Sequence, residues 1–212
     1  MAKILFFGDS ITAFRENVIV ASELFAERFP QHEIVNRGVR GNDTGLARER
    51  FQQDVAAEQP DVLIFSFGCN DAAIDVYKSK TVPRIPLEAY LDNLNFFIRE
   101  MRNIRTEMIF FTPPPLILVE GLKAYYYGEP YISHGFNFML DQYIAAARRL
   151  MEKENVPVAD VNRAFRENIG NIEEKLVTLL PDGMHPNSAG QEIIFNLLYP
   201  IFESLPLAQA EK

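Results

Sequence analysis

The fold is decided by the segment Asp61-Val62-Leu63-Ile64-Phe65-Ser66-Phe67. From Val62 to Phe65 the segment is continuously apolar. A strand with one face in water alternates apolar and polar side chains, whereas a strand covered on both faces has a continuous apolar run. The segment therefore predicts a central strand of a parallel sheet with helices packed on both sides.

Short apolar runs alternate with longer amphipathic stretches along the rest of the chain, a pattern typical of crossover units in a parallel sheet. The other predicted strands are 3–7, 33–36, 107–112 and 156–161. The predicted helices are 18–29, 46–58, 87–102, 136–153 and one that starts at Asn187 or Ser188 and continues toward Phe202. We therefore predict an α/β fold, a three-layer α/β/α sandwich with a five-stranded parallel sheet, as a single domain over residues 1–212.

The composition excludes several classes of protein. Lys+Arg number 21 against 29 Asp+Glu, and the formal net charge of -8 opposes binding to nucleic acids or anionic membranes. No segment approaches the roughly 18 apolar residues of a membrane span, and the run Ile4-Leu5-Phe6-Phe7 is too short for a signal-peptide core. The one cysteine, Cys69, cannot form an intramolecular disulfide, which fits a reducing compartment. We expect a cytoplasmic protein.

Gly8-Asp9-Ser10 directly follows the first predicted strand. Ligands of open parallel sheets bind beyond the carboxyl ends of the strands, so Ser10 is a candidate nucleophile. The alternative is an ordinary capping serine. A serine nucleophile needs a neighbouring base, which another segment has to supply.

His185 is the candidate base, because it lies just before the last predicted helix with Asp182 three residues earlier. The Asp182 carboxylate can turn back to accept the Nδ1–H of His185, which leaves Nε2 free to take a serine proton. The alternative is a helix-entry turn in which Asp182 or Asn187 acts as a cap.

Gly41 and Asn70 are candidate donors to the oxyanion that forms during acyl transfer. Gly41 follows the second predicted strand, and without a Cβ it can bring its backbone N–H close to a ligand. Asn70 follows the third predicted strand and can donate its side-chain amide. Both residue types are also common in ordinary turns. The hydrolase interpretation is favoured because four separate segments place the required groups at one edge of one predicted sheet.

The sequence resembles the SGNH (GDSL) hydrolases in four blocks that occur in the family's order. They are Gly8-Asp9-Ser10-Ile11, Gly41 in its loop, Gly68-Cys69-Asn70-Asp71 and Asp182-Gly183-Met184-His185-Pro186. The resemblance implies a flavodoxin-like sandwich, Ser10 as nucleophile, His185 as base and Asp182 as its orienting partner. It also implies an oxyanion hole formed by the Ser10 N–H, the Gly41 N–H and the side-chain amide of Asn70.

Three further segments resemble the isoamyl-acetate-hydrolysing esterase branch of this family: residues 84–90, 111–115 and 180–185. That resemblance implies a serine esterase acting on short-chain, acetate-type carboxylic esters, with a small neutral ester as substrate. Carbohydrate O-acetylesterases share the Gly41-Asn42 and Asn70-Asp71 features, so deacetylation of sugars or xylan is the alternative. Cys69 is interpreted as a small buried residue, because Ser10 already fills the nucleophile's position.

We expect neither a metal nor a cofactor, because no histidines have zinc-ligand spacing and no glycine-rich dinucleotide fingerprint follows a strand. A flavin-binding module is a rival interpretation, but it leaves Asp182 and His185 unexplained. Two long connections, 69–86 and 116–135, would set the shape of the pocket. The second is rich in tyrosine. It is either a wall of the substrate pocket, or a semi-ordered surface loop or homodimer contact.

Overall fold

A five-stranded parallel sheet lies at the centre of the computed structural model, which describes residues 1–169 and 173–206. Residues 170–172 and 207–212 of the domain predicted over 1–212 lie outside that description. The strands are β1 Lys3–Gly8, β2 Glu33–Gly38, β3 Val62–Ser66, β4 Glu107–Phe111 and β5 Val158–Ala159. They pair in parallel in the order β2-β1-β3-β4-β5, with β1 between β2 and β3.

Helices follow the strands as crossover connections. They are α1 Ala21–Arg28, α2 Thr44–Asp54, α3 Leu87–Asn103, α4 Glu120–Tyr126, α5 Tyr131–His134, α6 Phe138–Lys153, α7 Val161–Ile169, α8 Glu173–Leu176 and α9 Ser188–Ser204. Short 3₁₀ turns occur at Ala56–Glu58 and Val76–Lys78.

Two apolar clusters cover the two faces of the sheet. Leu5, Phe7, Leu63 and Phe65 point to one face and pack against α2, α3 and α6. The alternate residues of the same strands, among them Phe6 and Ile64, pack with α1, α7 and α9 on the other face. Since neither face is left to water, β1 and β3 carry continuous apolar runs. The predicted three-layer α/β/α sandwich is confirmed.

Some element boundaries differ from the predictions. Helix α1 begins at Ala21 and not at Val18, because a separate turn and a short bridge between Arg15 and Val18 come first. Strand β5 has two residues in place of the predicted 156–161, because Asp160 accepts the backbone N–H of Arg163 and starts α7. Helix α7 was not predicted at all.

The two long connections contact each other and are not free loops. The segment 69–86 contributes Ile74, and the segment 116–135 contributes Tyr126 and Tyr131, to a third apolar cluster. The Ile74 N–H donates to the Tyr131 hydroxyl at 2.7 Å. No helix within the described residues is long and apolar enough to span a membrane.

Candidate active site

Ser10 lies in a tight turn immediately after the carboxyl end of β1. The backbone carbonyl of Asp9 accepts the N–H groups of Thr12 and Ala13, at 3.2 and 3.0 Å, and so closes one helical turn. This single turn is separate from α1, which starts at Ala21. The turn holds Ser10 above the edge of the sheet that parallel folds use for ligands.

The structure brings Ser10, His185 and Asp182 together although they are far apart in the chain. The Ser10 Oγ lies 2.8 Å from His185 Nε2, and His185 Nδ1 lies 2.7 Å from Asp182 Oδ2. An ionised carboxylate can only accept, so the ring proton belongs on Nδ1. His185 Nε2 is then the acceptor of the Ser10 hydroxyl proton.

The loop between α8 and α9 fixes the direction of the Asp182 side chain. Asp182 Oδ1 accepts the backbone N–H groups of His185 and Met184, at 2.7 and 3.0 Å. Gly183 between them has φ +83, and a Cβ there would lie 2.2 Å from the carbonyl oxygen of Ile117. This position therefore requires glycine.

The surroundings of Asp182 favour its ionised form. Burial raises its pKa, but the hydrogen bonds from the His185 ring and from the His185 and Met184 N–H groups outweigh burial. They hold the pKa of Asp182 well below its usual value. A permanently charged carboxylate can stabilise the imidazolium that forms when His185 accepts a proton.

Gly41, Ser10 and Asn70 line the same cleft as His185. Gly41 has φ +75, in the left-handed region that glycine adopts without strain. Among the described residues, no acceptor binds the backbone N–H of Ser10 or of Gly41. Asn70 Nδ2 donates to the carbonyl of Asn42 at 3.0 Å and lies 3.3 Å from Asp9 Oδ2. Ser10, Gly41 and Asn70, whose N–H groups are the predicted oxyanion donors, thus line one cleft with His185.

The cleft encloses about 310 Å³, and a much smaller apolar hollow adjoins it. Cys69 and Met184 border both spaces. The far wall of the hollow includes Tyr126 and Tyr131 from the tyrosine-rich connection. The tyrosine-rich connection therefore lines the hollow next to the cleft.

Cys69 is buried, as expected. Burial, with the nearby Asp9 charge, raises the pKa of its thiol well above its usual value. The thiolate is the reactive form of cysteine, so the thiol at this position is inert compared with an activated nucleophile.

Sequence analysis gave Asp9 and Arg84 no catalytic role, and the structure places both beside the site. The Asp9 carboxylate is buried and accepts the Ile11 N–H at 2.9 Å, which fixes the turn that carries Ser10. Burial raises the pKa of Asp9 to about 6. Arg84 lines the cleft and donates to the side-chain oxygen of Asn70 at 3.2 Å. The sequence signals for Arg84 were its position in a long connection after β3 and in the segment 84–90, neither of which assigned it a role.

Asp71, next to Asn70, anchors the amino end of α2. Its Oδ1 accepts the Thr44 N–H at 2.9 Å and the Thr44 hydroxyl, while its Oδ2 is buried with no partner among the described residues. Burial raises the pKa of Asp71 to about 7. In the folded protein this carboxyl therefore holds its proton at pH values where an exposed aspartate has lost it.

Asp71→Asn is expected to flatten the pH dependence of stability. Between about pH 4 and 7 the unfolded chain has lost a proton that folded Asp71 keeps, so stability falls as the pH rises through this window. Asparagine keeps the acceptor for Thr44 but does not titrate. The melting temperature of the variant should therefore fall less than that of the wild type between pH 4.5 and 7.5. Asp92→Asn, at an exposed carboxylate on α3, is the control. Parallel curves for Asp71→Asn and the wild type would show that Asp71 is ionised throughout.

Among the described residues, no group of three or more His, Cys, Asp or Glu side chains is arranged to hold a metal ion.

Comparison with known proteins identifies relatives of the whole site-bearing region. The profile of the GDSL-like lipase/acylhydrolase family matches residues 6–193. The isoamyl acetate-hydrolyzing esterase of Saccharomyces cerevisiae is 26% identical, over 95% of this chain and 86% of its own. The uncharacterized lipoprotein YqeF of Bacillus subtilis is 30% identical over 77% of this chain and 70% of its own. The crystal structure of an acetylxylan esterase from Geobacillus stearothermophilus superposes with a TM-score of 0.72 at 25% identity, covering 93% and 92% of the two chains.

The family match extends from β1 into α9 and includes every residue of the Ser10, Gly41, Asn70 and His185 cleft. The chain belongs to the GDSL-like lipase/acylhydrolase family and is a carboxylic ester hydrolase.

Proposed function

We propose that the protein hydrolyses small acetate-type esters through an acyl-enzyme on Ser10. The observation that carries the proposal is the continuous hydrogen-bonded chain from the Ser10 hydroxyl through His185 to Asp182. The chain supplies a nucleophile, a base in contact with it and a third group that orients the base.

The reaction has two half-reactions that use the same groups. Ser10 Oγ attacks the ester carbonyl carbon while His185 Nε2 accepts the hydroxyl proton, and the negative charge on the former carbonyl oxygen faces the N–H donors of Ser10, Gly41 and Asn70. His185 then gives its proton to the departing alcohol oxygen. In the second half-reaction water attacks the acyl-enzyme carbonyl while His185 takes a proton from the water. His185 then gives this proton to Ser10 Oγ as the bond from Oγ to the acyl carbon breaks, which releases the acid and restores Ser10.

The hollow beside the cleft favours a short acyl group. Its free space is about 10 Å³, roughly the room that one water molecule or one methyl group needs. The walls are apolar side chains, so an acetyl methyl group can enter without leaving a polar group unpaired. A longer acyl chain would have to displace buried side chains such as Leu140.

A carbohydrate acetate is the second candidate for the substrate. The similarity to an acetylxylan esterase favours it. So do two half-exposed tyrosines, Tyr77 and Tyr125, whose rings lie 5.3 Å apart on the two long connections. Exposed aromatic rings offer an apolar face to a sugar ring while their hydroxyls stay in water.

A panel of esters tests the proposal and separates the two candidates. We expect kcat/KM to fall by at least about tenfold from 4-nitrophenyl acetate to the butyrate and again to the octanoate, the discrimination typical of a pocket without room for added methylenes. The rates of hydrolysis of isoamyl acetate and of peracetylated xylose then identify the alcohol part of the substrate: a faster rate on the first favours an alkyl ester, and on the second a sugar ester. A preference for octanoate would contradict the short-chain proposal. Labelling of the protein by a fluorophosphonate at a residue other than Ser10 would contradict the nucleophile.

We further propose a neutral substrate and a cytoplasmic location. The net charge of -8 disfavours polyanionic esters. Cys69, the one cysteine of the sequence, is free and buried, which fits a reducing compartment. A homodimer formed through the exposed side of the tyrosine-rich connection stays a prediction.

A further inference from the structure

Arg84 places a positive charge directly behind the Asn70 amide. It belongs to the connection between β3 and α3 and lines the cleft together with Ser10, Gly41 and His185. Its Nη1 donates to Asn70 Oδ1 at 3.2 Å. The guanidinium thus contacts the side-chain oxygen of the residue whose Nδ2 is the proposed oxyanion donor.

Asp75 holds the guanidinium of Arg84 in this position. Asp75 Oδ1 accepts from Arg84 Nε at 3.1 Å and from Nη2 at 2.6 Å. The Asp75 side chain is only 11% exposed. The hydrogen bonds from Arg84 outweigh burial and lower the pKa of Asp75, so the pair stays charged. The backbone N–H of Arg84 donates to the Ala73 carbonyl at 3.0 Å, which fixes the main chain as well.

The hydrogen bond from Arg84 determines the orientation of the Asn70 side-chain amide. With Oδ1 on Arg84, Nδ2 points to the Asn42 carbonyl and toward Asp9. A rotated amide would set its N–H groups against the guanidinium, donor against donor, and would turn its oxygen to the Asn42 carbonyl. A cation on the amide oxygen also draws electron density from the amide nitrogen and makes its N–H groups stronger donors.

We propose that Arg84, held by Asp75, is a positioning residue for catalysis: it orients the Asn70 amide and polarises it toward the oxyanion. This inference rests on the proposed function, because the oxyanion forms only if Ser10 attacks an ester. The negative charge of the oxyanion exists in the transition state and not in the ground-state ester. The contribution of Arg84 should therefore be found in kcat and not in KM.

The test compares Arg84→Gln with the wild type on 4-nitrophenyl acetate. We expect kcat to fall about 10–100-fold, the loss that accompanies removal of a hydrogen bond to a charged group. KM should stay within about twofold. Arg84→Lys keeps the charge but cannot reach Asp75 and Asn70 as a fork, so its kcat should lie between the two. Lys78→Gln is the matched control, because Lys78 pairs with Asp75 at 3.6 Å but does not contact Asn70. Its kcat should be that of the wild type.

A double-mutant cycle with Asn70→Ala distinguishes positioning from a merely structural role. Asn70→Ala alone should lower kcat about 10²–10³-fold. Adding Arg84→Gln to it should have little further effect, because the amide on which Arg84 acts is gone. An equal loss in both backgrounds, or an unchanged kcat in Arg84→Gln, would overturn the inference while leaving Ser10 as nucleophile. Full activity of Ser10→Ala would instead overturn the proposed function. If Arg84→Gln does not fold, the same cycle is run with Arg84→Lys. An equal loss of kcat in both backgrounds, or an unchanged kcat in Arg84→Lys, would then overturn the inference.

Discussion

Ser10→Ala is expected to lower kcat for 4-nitrophenyl acetate by roughly 10⁶-fold, the loss seen when a serine nucleophile of a triad is removed. Without Oγ no acyl-enzyme can form, and His185 has no nucleophile from which to accept a proton. The Gly41 and Asn70 donors remain, so a residual rate of about 10³–10⁴-fold over water is expected. Initial rates at saturating ester, corrected for spontaneous hydrolysis, measure the effect.

Ser204→Ala is the matched control for this substitution. The Ser204 hydroxyl donates to the Ile201 carbonyl at the carboxyl end of α9, whereas His185 lies just before the amino end of this helix. Its removal should leave kcat unchanged. His185→Ala should cost about as much as Ser10→Ala, and the double variant hardly more, because the two residues act as a unit. Additive losses would contradict a shared proton transfer between Ser10 and His185.

The sheet and the position of the site were predictable because both depend on short-range patterns. Continuous apolar runs such as 62–65 identify strands covered on both faces, and polar residues just after them gather at one edge of a parallel sheet. Gly41 and Asn70 could therefore be placed near Ser10 before any distance was known. The contact of Ser10 with His185 was expected because Asp182, three residues before His185, can orient the ring as a base for a serine. In the structure Ser10 Oγ lies 2.8 Å from His185 Nε2.

Two of the helices missed by sequence analysis depend on distant partners. Helices α4 and α5 have seven and four residues, too short to be stable alone. They are held by the cluster of Ile74, Tyr126 and Tyr131, which joins two connections far apart in the sequence. Helix α7 did have a local signal, the capping carboxylate of Asp160, but it was assigned to the end of a strand.

Arg84 shows why the supporting residues of the site were harder to predict than its nucleophile. Its function depends on two side-chain contacts, with Asn70 and Asp75, and neither has a fixed sequence spacing. An arginine in a polar loop is more often a solvated residue than a part of an active site. Only the three-dimensional contacts separate Arg84 from an exposed cation such as Lys78.

Asp182→Asn is expected to lower kcat by roughly 10⁴-fold while leaving the fold intact. Asparagine can keep its Oδ1 on the N–H groups of His185 and Met184, so the loop around Gly183 has the same hydrogen bonds. Its amide NH₂ then faces His185 Nδ1, at the place where a carboxylate oxygen now accepts. The imidazole must turn its lone pair to this donor and carry its proton on Nε2. Protonated Nε2 cannot accept the hydroxyl proton of Ser10, and the charge that stabilises the imidazolium is lost.

Asp141→Asn is the matched control for Asp182→Asn. Asp141→Asn removes an exposed carboxylate on α6 that pairs with Arg166, and its kcat should equal that of the wild type. Asp182→Asn should remain folded at the assay temperature and keep the wild-type KM. Its kcat and the rate of fluorophosphonate labelling of Ser10 should fall together, because both need His185 as a base. The low pKa of Asp182 means that its protonation does not limit the wild-type rate in mildly acidic solution. A kcat within tenfold of the wild type would show that His185 takes its orientation from another residue, and that the 2.7 Å contact with Asp182 does not control its tautomer.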